Sequence, residues 1–174
     1  MRRRLTKAVA LLILCAPWTV AAQGKPTALA GTWVSAPYEL PLRTDFDRSV
    51  WGPNATSVRD VRFVIASAGE STLTITRKVL DASRQTVKAS TSIEEAKVIV
   101  GTPLDTTNAR TNYAVTLVSA ERRYPDDPEY RWPLDGARVS VVTLERDGQP
   151  AVEIRFDTPE GKGSFWETLR RESS

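Results

Sequence analysis

Ala30-Gly31-Thr32-Trp33-Val34, taken with Ser164-Phe165-Trp166-Glu167-Thr168-Leu169-Arg170-Arg171 at the far end of the chain, decides how this sequence folds. Both stretches are short and β-prone. Between them lie alternating segments and no convincing helix, so the two ends read as the seam of one antiparallel sheet closed on itself.

Working inward from that seam, Val61, Phe63 and Ile65 alternate with Arg62 and Val64. After the turn Ala68-Gly69-Glu70-Ser71, Leu73, Ile75, Arg77 and Val79 alternate with Thr72, Thr74, Thr76 and Lys78, a clear hairpin with period two. Asp81-Ala82-Ser83 turns the chain again, and Val87, Ala89, Thr91 and Ile93 continue the period. Glu94 to Lys97 has the composition of a single helical turn, but Val98-Ile99-Val100 returns the chain to strand. Tyr113, Val115 and Leu117 share one face of a further strand. Asp147-Gly148 is a strong two-residue hairpin signal between Val139 to Glu145 and Val152 to Phe156. The segment 38–57 has no period and is expected to be a packed loop. Residues 101–108 are expected to form a second loop. Tyr124 to Pro133, with three prolines, is expected to stay out of any ladder. About eight antiparallel strands joined by short turns predict an all-β, up-and-down β-barrel, because closure leaves no exposed edge.

The first 22 residues have a different purpose. Arg2-Arg3-Arg4, the apolar run from Ala8 to Cys15, and Val20-Ala21-Ala22 form a secretory leader cleaved after Ala22. A twin-arginine leader and a lipid anchor at Cys15 are the less favoured readings, since Leu14 stands where an anchor needs a small residue. Residues 23–30 are then a short lead and 31–174 one domain, placed in the periplasm or outside the cell, with no transmembrane segment. Four of the 24 basic residues, Arg2, Arg3, Arg4 and Lys7, lie in the leader and none of the 21 acidic ones does, so the formal charge falls from +3 to −1 without it. Nothing then favours nucleic acid as a partner.

The single Cys and single Met also leave with the leader, and the chain has no His. Without imidazole or sulfur, Ser-His-Asp and Cys-His catalysis and the usual zinc, copper and haem sites are excluded. No cofactor is expected, no metal site and no catalytic residue.

Gly31-Thr32-Trp33, together with Arg170 or Arg171 at the end of the last strand, resembles the lipocalin and broader calycin pattern. The resemblance implies a tryptophan of the first strand packed beneath a basic residue from the far end of the chain. Gly31, Trp33 and Arg170 are assigned to that latch. Thr111-Asn112-Tyr113 resembles a Thr-Asp-Tyr loop of the same group, with Asn112 in place of the acid. No disulfide is available, and no helix follows the last strand.

Three readings of function follow. The first is a non-catalytic barrel holding a small hydrophobic or amphipathic molecule in its interior, touched by Arg77, Tyr113, Trp132 and Arg155. The second is an envelope interaction protein or hydrolase inhibitor with a filled barrel, displaying the loops 38–57 and 121–135 to a protein partner. The third is a carboxylate-based isomerase or lyase, which needs two acids converging inside. Asp45-Phe46-Asp47, the acids at 126, 127 and 129, and the Asn54-Ala55-Thr56 sequon carry no motif specific enough to choose among these.

Overall fold

The computed structural model describes residues 29–42, 49–87, 91–133, 136–157 and 164–173, with backbone alone at 130–133 and 164–165. The segment expected to be a leader, the lead to residue 28 and Asp45-Phe46-Asp47 lie outside these. Among the described residues there are ten strands: β1 (Gly31–Val34), β2 (Tyr38–Pro41), β3 (Thr56–Ile65), β4 (Ser71–Leu80), β5 (Ser92–Thr107), β6 (Arg110–Tyr124), β7 (Asp127–Pro133), β8 (Arg138–Arg146), β9 (Gln149–Asp157) and β10 (Ser164–Arg171).

Eight of them close into a ring in the order β1-β10-β9-β8-β6-β5-β4-β3 and back to β1. All pairings are antiparallel, so chain neighbours are sheet neighbours nearly throughout, as alternating segments with short turns require. The ring is uneven. β1 meets β10 at two ladder positions, Trp33↔Arg171 and Val34↔Arg170, while β8 meets β6 at three, from Thr111↔Thr143 to Tyr113↔Val141.

Side chains alternate across the wall as the sequence pattern demands. Val61, Phe63 and Ile65 on β3, Leu73 and Ile75 on β4, Val98 and Val100 on β5, Val152 and Ile154 on β9, and Leu169 on β10 are all buried in one core. A fully buried Val, Leu, Ile or Phe stabilises the fold by roughly 1.5–3 kcal/mol, so a core contributed by every side of the ring replaces the disulfides the chain lacks. One level of the ring carries Trp33, Phe63 and Leu73 on consecutive strands, then Ala96 and Ala120. Large rings on one side are offset by small residues on the other, which lets the interior fill.

Three local expectations are corrected. Segment 38–57 is not wholly loop: β2 continues the line of β1 along one edge of β3, with Tyr38↔Arg59 and Pro41↔Thr56. Its short length and two flanking prolines hide the alternation. Residues 101–107 belong to β5, where register shifts on either side of Pro103 absorb the residues that read as loop. Asn108 and Ala109, at φ 51° and 60°, form the tight turn into β6. Tyr124 to Pro133 also pairs, through β7 on β6. A register shift between Arg123 and Tyr124 leaves Pro128 within an irregular stretch, and β7 joins no second strand among the described residues. A bulged outer strand is where proline is tolerated.

Candidate functional site

The seam is held by side chains more than by its two ladder positions. Trp33, 2% exposed, donates from Nε1 to the Leu29 carbonyl at 3.0 Å. The Arg171 guanidinium lies over the indole, 5.5 Å from the ring centroid, and donates to the Ala30 carbonyl. Gly31, at φ 140°, makes room for it: a Cβ there would stand 3.0 Å from Arg171 Nη2. The latch residue is therefore Arg171 and not Arg170, because Arg171 is the register partner of Trp33 and shares its face. Arg170 points to the other side and pairs with Asp147 at 2.8 Å. Glu172 adds a backbone donation to the Thr32 carbonyl at 2.9 Å and an ion pair with Arg62.

At the opposite end the inward face turns polar. Arg59 and Arg77 are register partners on the face that carries Val61 and Ile75, and both are half-buried. Arg59 donates to the Tyr38 hydroxyl at 3.3 Å. Glu94 on β5 takes a bifurcated donation from Arg122 on β6. Burial, and then a hydrogen bond to Glu167, push the Tyr38 phenol above its ordinary value; the positive charge of Arg59 opposes this only in part. The folded state therefore holds the Tyr38 proton more tightly than the unfolded chain. Its contribution to stability is complete below the unfolded value of 10.0 and is lost as pH rises through the higher folded value. Tyr38→Phe is expected to flatten the alkaline part of the stability profile, measured by urea unfolding from neutral pH upward through that value. An unchanged alkaline slope would show that the phenol is not responsible.

Among the described residues, the apolar side chains of the ring pack into one core. The small pocket bordered by Leu73, Ile75, Ala96, Phe156 and the two acids Glu94 and Glu95 amounts to about 10 Å³, at the lower limit for one water. Two larger concavities among the described residues lie on the outer wall. One of about 470 Å³ is lined by Arg110, Asn112, Ser140, Val142, Glu153, Arg155 and Trp166. A second, about 560 Å³, runs between Val34 to Ala36 and Arg146, Asp147, Thr168 and Arg170.

The four residues expected around an interior ligand do not come together. Arg155 stands on the outer wall, where it pairs with Asp157 at 3.0 Å, because Ile154 and Phe156 take the inward positions of β9. Tyr113 is packed into the apolar core. Arg77 faces inward at the polar end, and the Trp132 side chain lies outside the described residues. Trp166, Glu153, Arg110, Asn112 and Ser140 had no part in the sequence-derived site. Burial of Val152, Ile154 and Phe156 in the structure sets the outward side of β9, and the register Arg155↔Trp166 then puts Trp166 outside too.

Among the described residues no cluster of His, Cys, Asp or Glu could hold a metal ion, and no helix is long and apolar enough to cross a membrane. No known protein-family model matches the chain, and no curated protein matches it.

Proposed function

We propose that this is an exported, non-catalytic binding protein of lipocalin-like barrel design, whose interior serves stability and whose outer wall is the working surface. The leader from Arg2 to Ala22 supports export, and the Trp33 to Arg171 latch supports the lipocalin-like design. The observation that carries the reading is where the space lies: about 10 Å³ in the pocket that core side chains share with Glu94 and Glu95, against about 470 and 560 Å³ on the outer wall. Ligand sites generally need roughly 300–1,000 Å³, which the wall offers and the void does not. The inward carboxylates Glu94 and Glu167 have different partners, Arg122 and Tyr38, an arrangement that favours a structural polar layer over an acid–base pair.

Native mass spectrometry of protein purified from its own host tests this. The expected species is a chain beginning at Gln23 that carries no apolar molecule, and titration with an apolar fluorophore should give no saturable binding. A fatty acid or similar guest retained at one copy per chain would refute the outer-wall reading in favour of an interior carrier.

A further inference from the structure

We propose that the 470 Å³ groove on the outer wall is a binding site for a neutral saccharide chain, with Trp166 as its stacking platform; this rests on the outer wall being the working surface. Trp166 is 59% exposed, and it is the one aromatic among the large apolar side chains that the described residues expose. Leaving an indole face in water forgoes a large burial gain, so an aromatic standing on a rigid sheet is well placed to meet a ligand. Its row runs straight across three strands, Ser140↔Arg155↔Trp166, and the next row is Asn112↔Val142↔Glu153↔Thr168. The indole is therefore bordered by a hydroxyl, a guanidinium, an amide and a carboxylate, held on strands rather than on loops.

The charges decide what kind of ligand fits. Arg110 Nη2 bonds Glu153 Oε1 at 2.9 Å and Arg155 Nε bonds Asp157 Oδ1 at 3.0 Å, so both cations of the groove are neutralised where they stand. A phosphate or other anion would have to draw these arginines from their carboxylates and then face Glu153 itself. An apolar guest would strand four charged groups without water. A sugar meets neither penalty. One face of a pyranose ring presents C–H groups that stack on an indole, and its hydroxyls both donate and accept. The paired arginines still offer N–H donors and the carboxylates still offer lone pairs, fixed in position before binding, which lowers the ordering cost.

The test is titration of the full exported chain with short β-1,4- and α-1,4-linked oligomers of glucose and of N-acetylglucosamine, by calorimetry and by tryptophan fluorescence. Binding to at least one series is expected, little changed by added salt because the ligand is uncharged. Trp166→Ala should weaken it by about tenfold or more, the scale of one aromatic contact. Because the side chain is exposed, its thermal unfolding should match the parent, and Arg155→Gln provides a second variant with the same expected direction. Unchanged affinity in both variants would overturn the site. Absence of binding to every oligomer, or binding confined to anionic probes and abolished by salt, would overturn the saccharide while leaving the outer-wall reading standing. That reading falls separately, on an apolar guest found inside.

Discussion

Trp33→Ala is expected to destabilise the protein by about 3–5 kcal/mol, the usual cost of truncating a buried Trp or Phe. Against a total of roughly 5–15 kcal/mol for a domain, that is a large share. Three things are lost together. The indole is 2% exposed, so its removal opens a cavity at the level of Phe63 and Leu73. The Leu29 carbonyl loses its donor, and Arg171 loses the ring beneath its guanidinium. What remains at the seam is two β1–β10 ladder positions, the Arg171 donation to Ala30, the Glu172 backbone bond to Thr32 and the exposed Arg62–Glu172 pair. Arg171→Ala alone should cost less, about 0.5–2 kcal/mol, in line with one cation–π contact. The double variant should then fall short of the sum of the two single losses, because the guanidinium has nothing to cover once the indole is gone. Urea unfolding of the four proteins measures this; additive losses would mean that the two side chains do not interact. Arg170→Ala is the matched control and should change stability little, since the Arg170 and Asp147 side chains are 63% and 71% exposed.

The choice between Arg170 and Arg171 shows how far the sequence could be read. β10 carries an aromatic and a charge on each face, Trp166 with Arg170 and Phe165 with Arg171, so alternation alone does not say which is inside. Only pairing with an unambiguous strand decides it, and β9 is such a strand because Val152, Ile154 and Phe156 are apolar against Glu153, Arg155 and Asp157. Strands with one clean apolar face were legible: β3, β4 and β9, with the turns at Gly69 and Asp147-Gly148. β10 was legible as a strand but not in its facing, and three further stretches were not read as strands. β2 is four residues long, β7 contains prolines, and the outer part of β5 holds its register only through bulges. The candidate site was the least legible of all. An outward polar residue on a sheet looks the same in sequence whether it is solvated or lines a groove, and the groove exists because four strands bring Asn112, Ser140, Glu153 and Trp166 to one place.

The proposal that the interior is structural can itself be turned into a measurement. Phe63 is fully buried between Trp33 on β1 and Leu73 on β4. Phe63→Ala should cost about 3–5 kcal/mol, with a fall in melting temperature on the order of 10 °C. The variant should also gain a property the parent lacks. With Val61, Ile65, Leu73 and Ile75 around the vacated position, the new void would be apolar and on the order of 100 Å³, the kind that stays dry and accepts benzene or xenon. Benzene should therefore raise the melting temperature of Phe63→Ala and leave that of the parent unchanged. If benzene stabilised the parent equally, the interior would already contain a usable cavity, and the assignment of function to the outer wall would lose its foundation. If the substitution cost under about 1 kcal/mol, the ring would not be close-packed at its widest side chains. Both outcomes bear on the same question: whether the interior of the ring has volume to spare for a ligand. The burial that runs from Leu29 to Leu169 in one cluster is what the benzene measurement probes, and the proposed outer-wall recognition stands or falls with it.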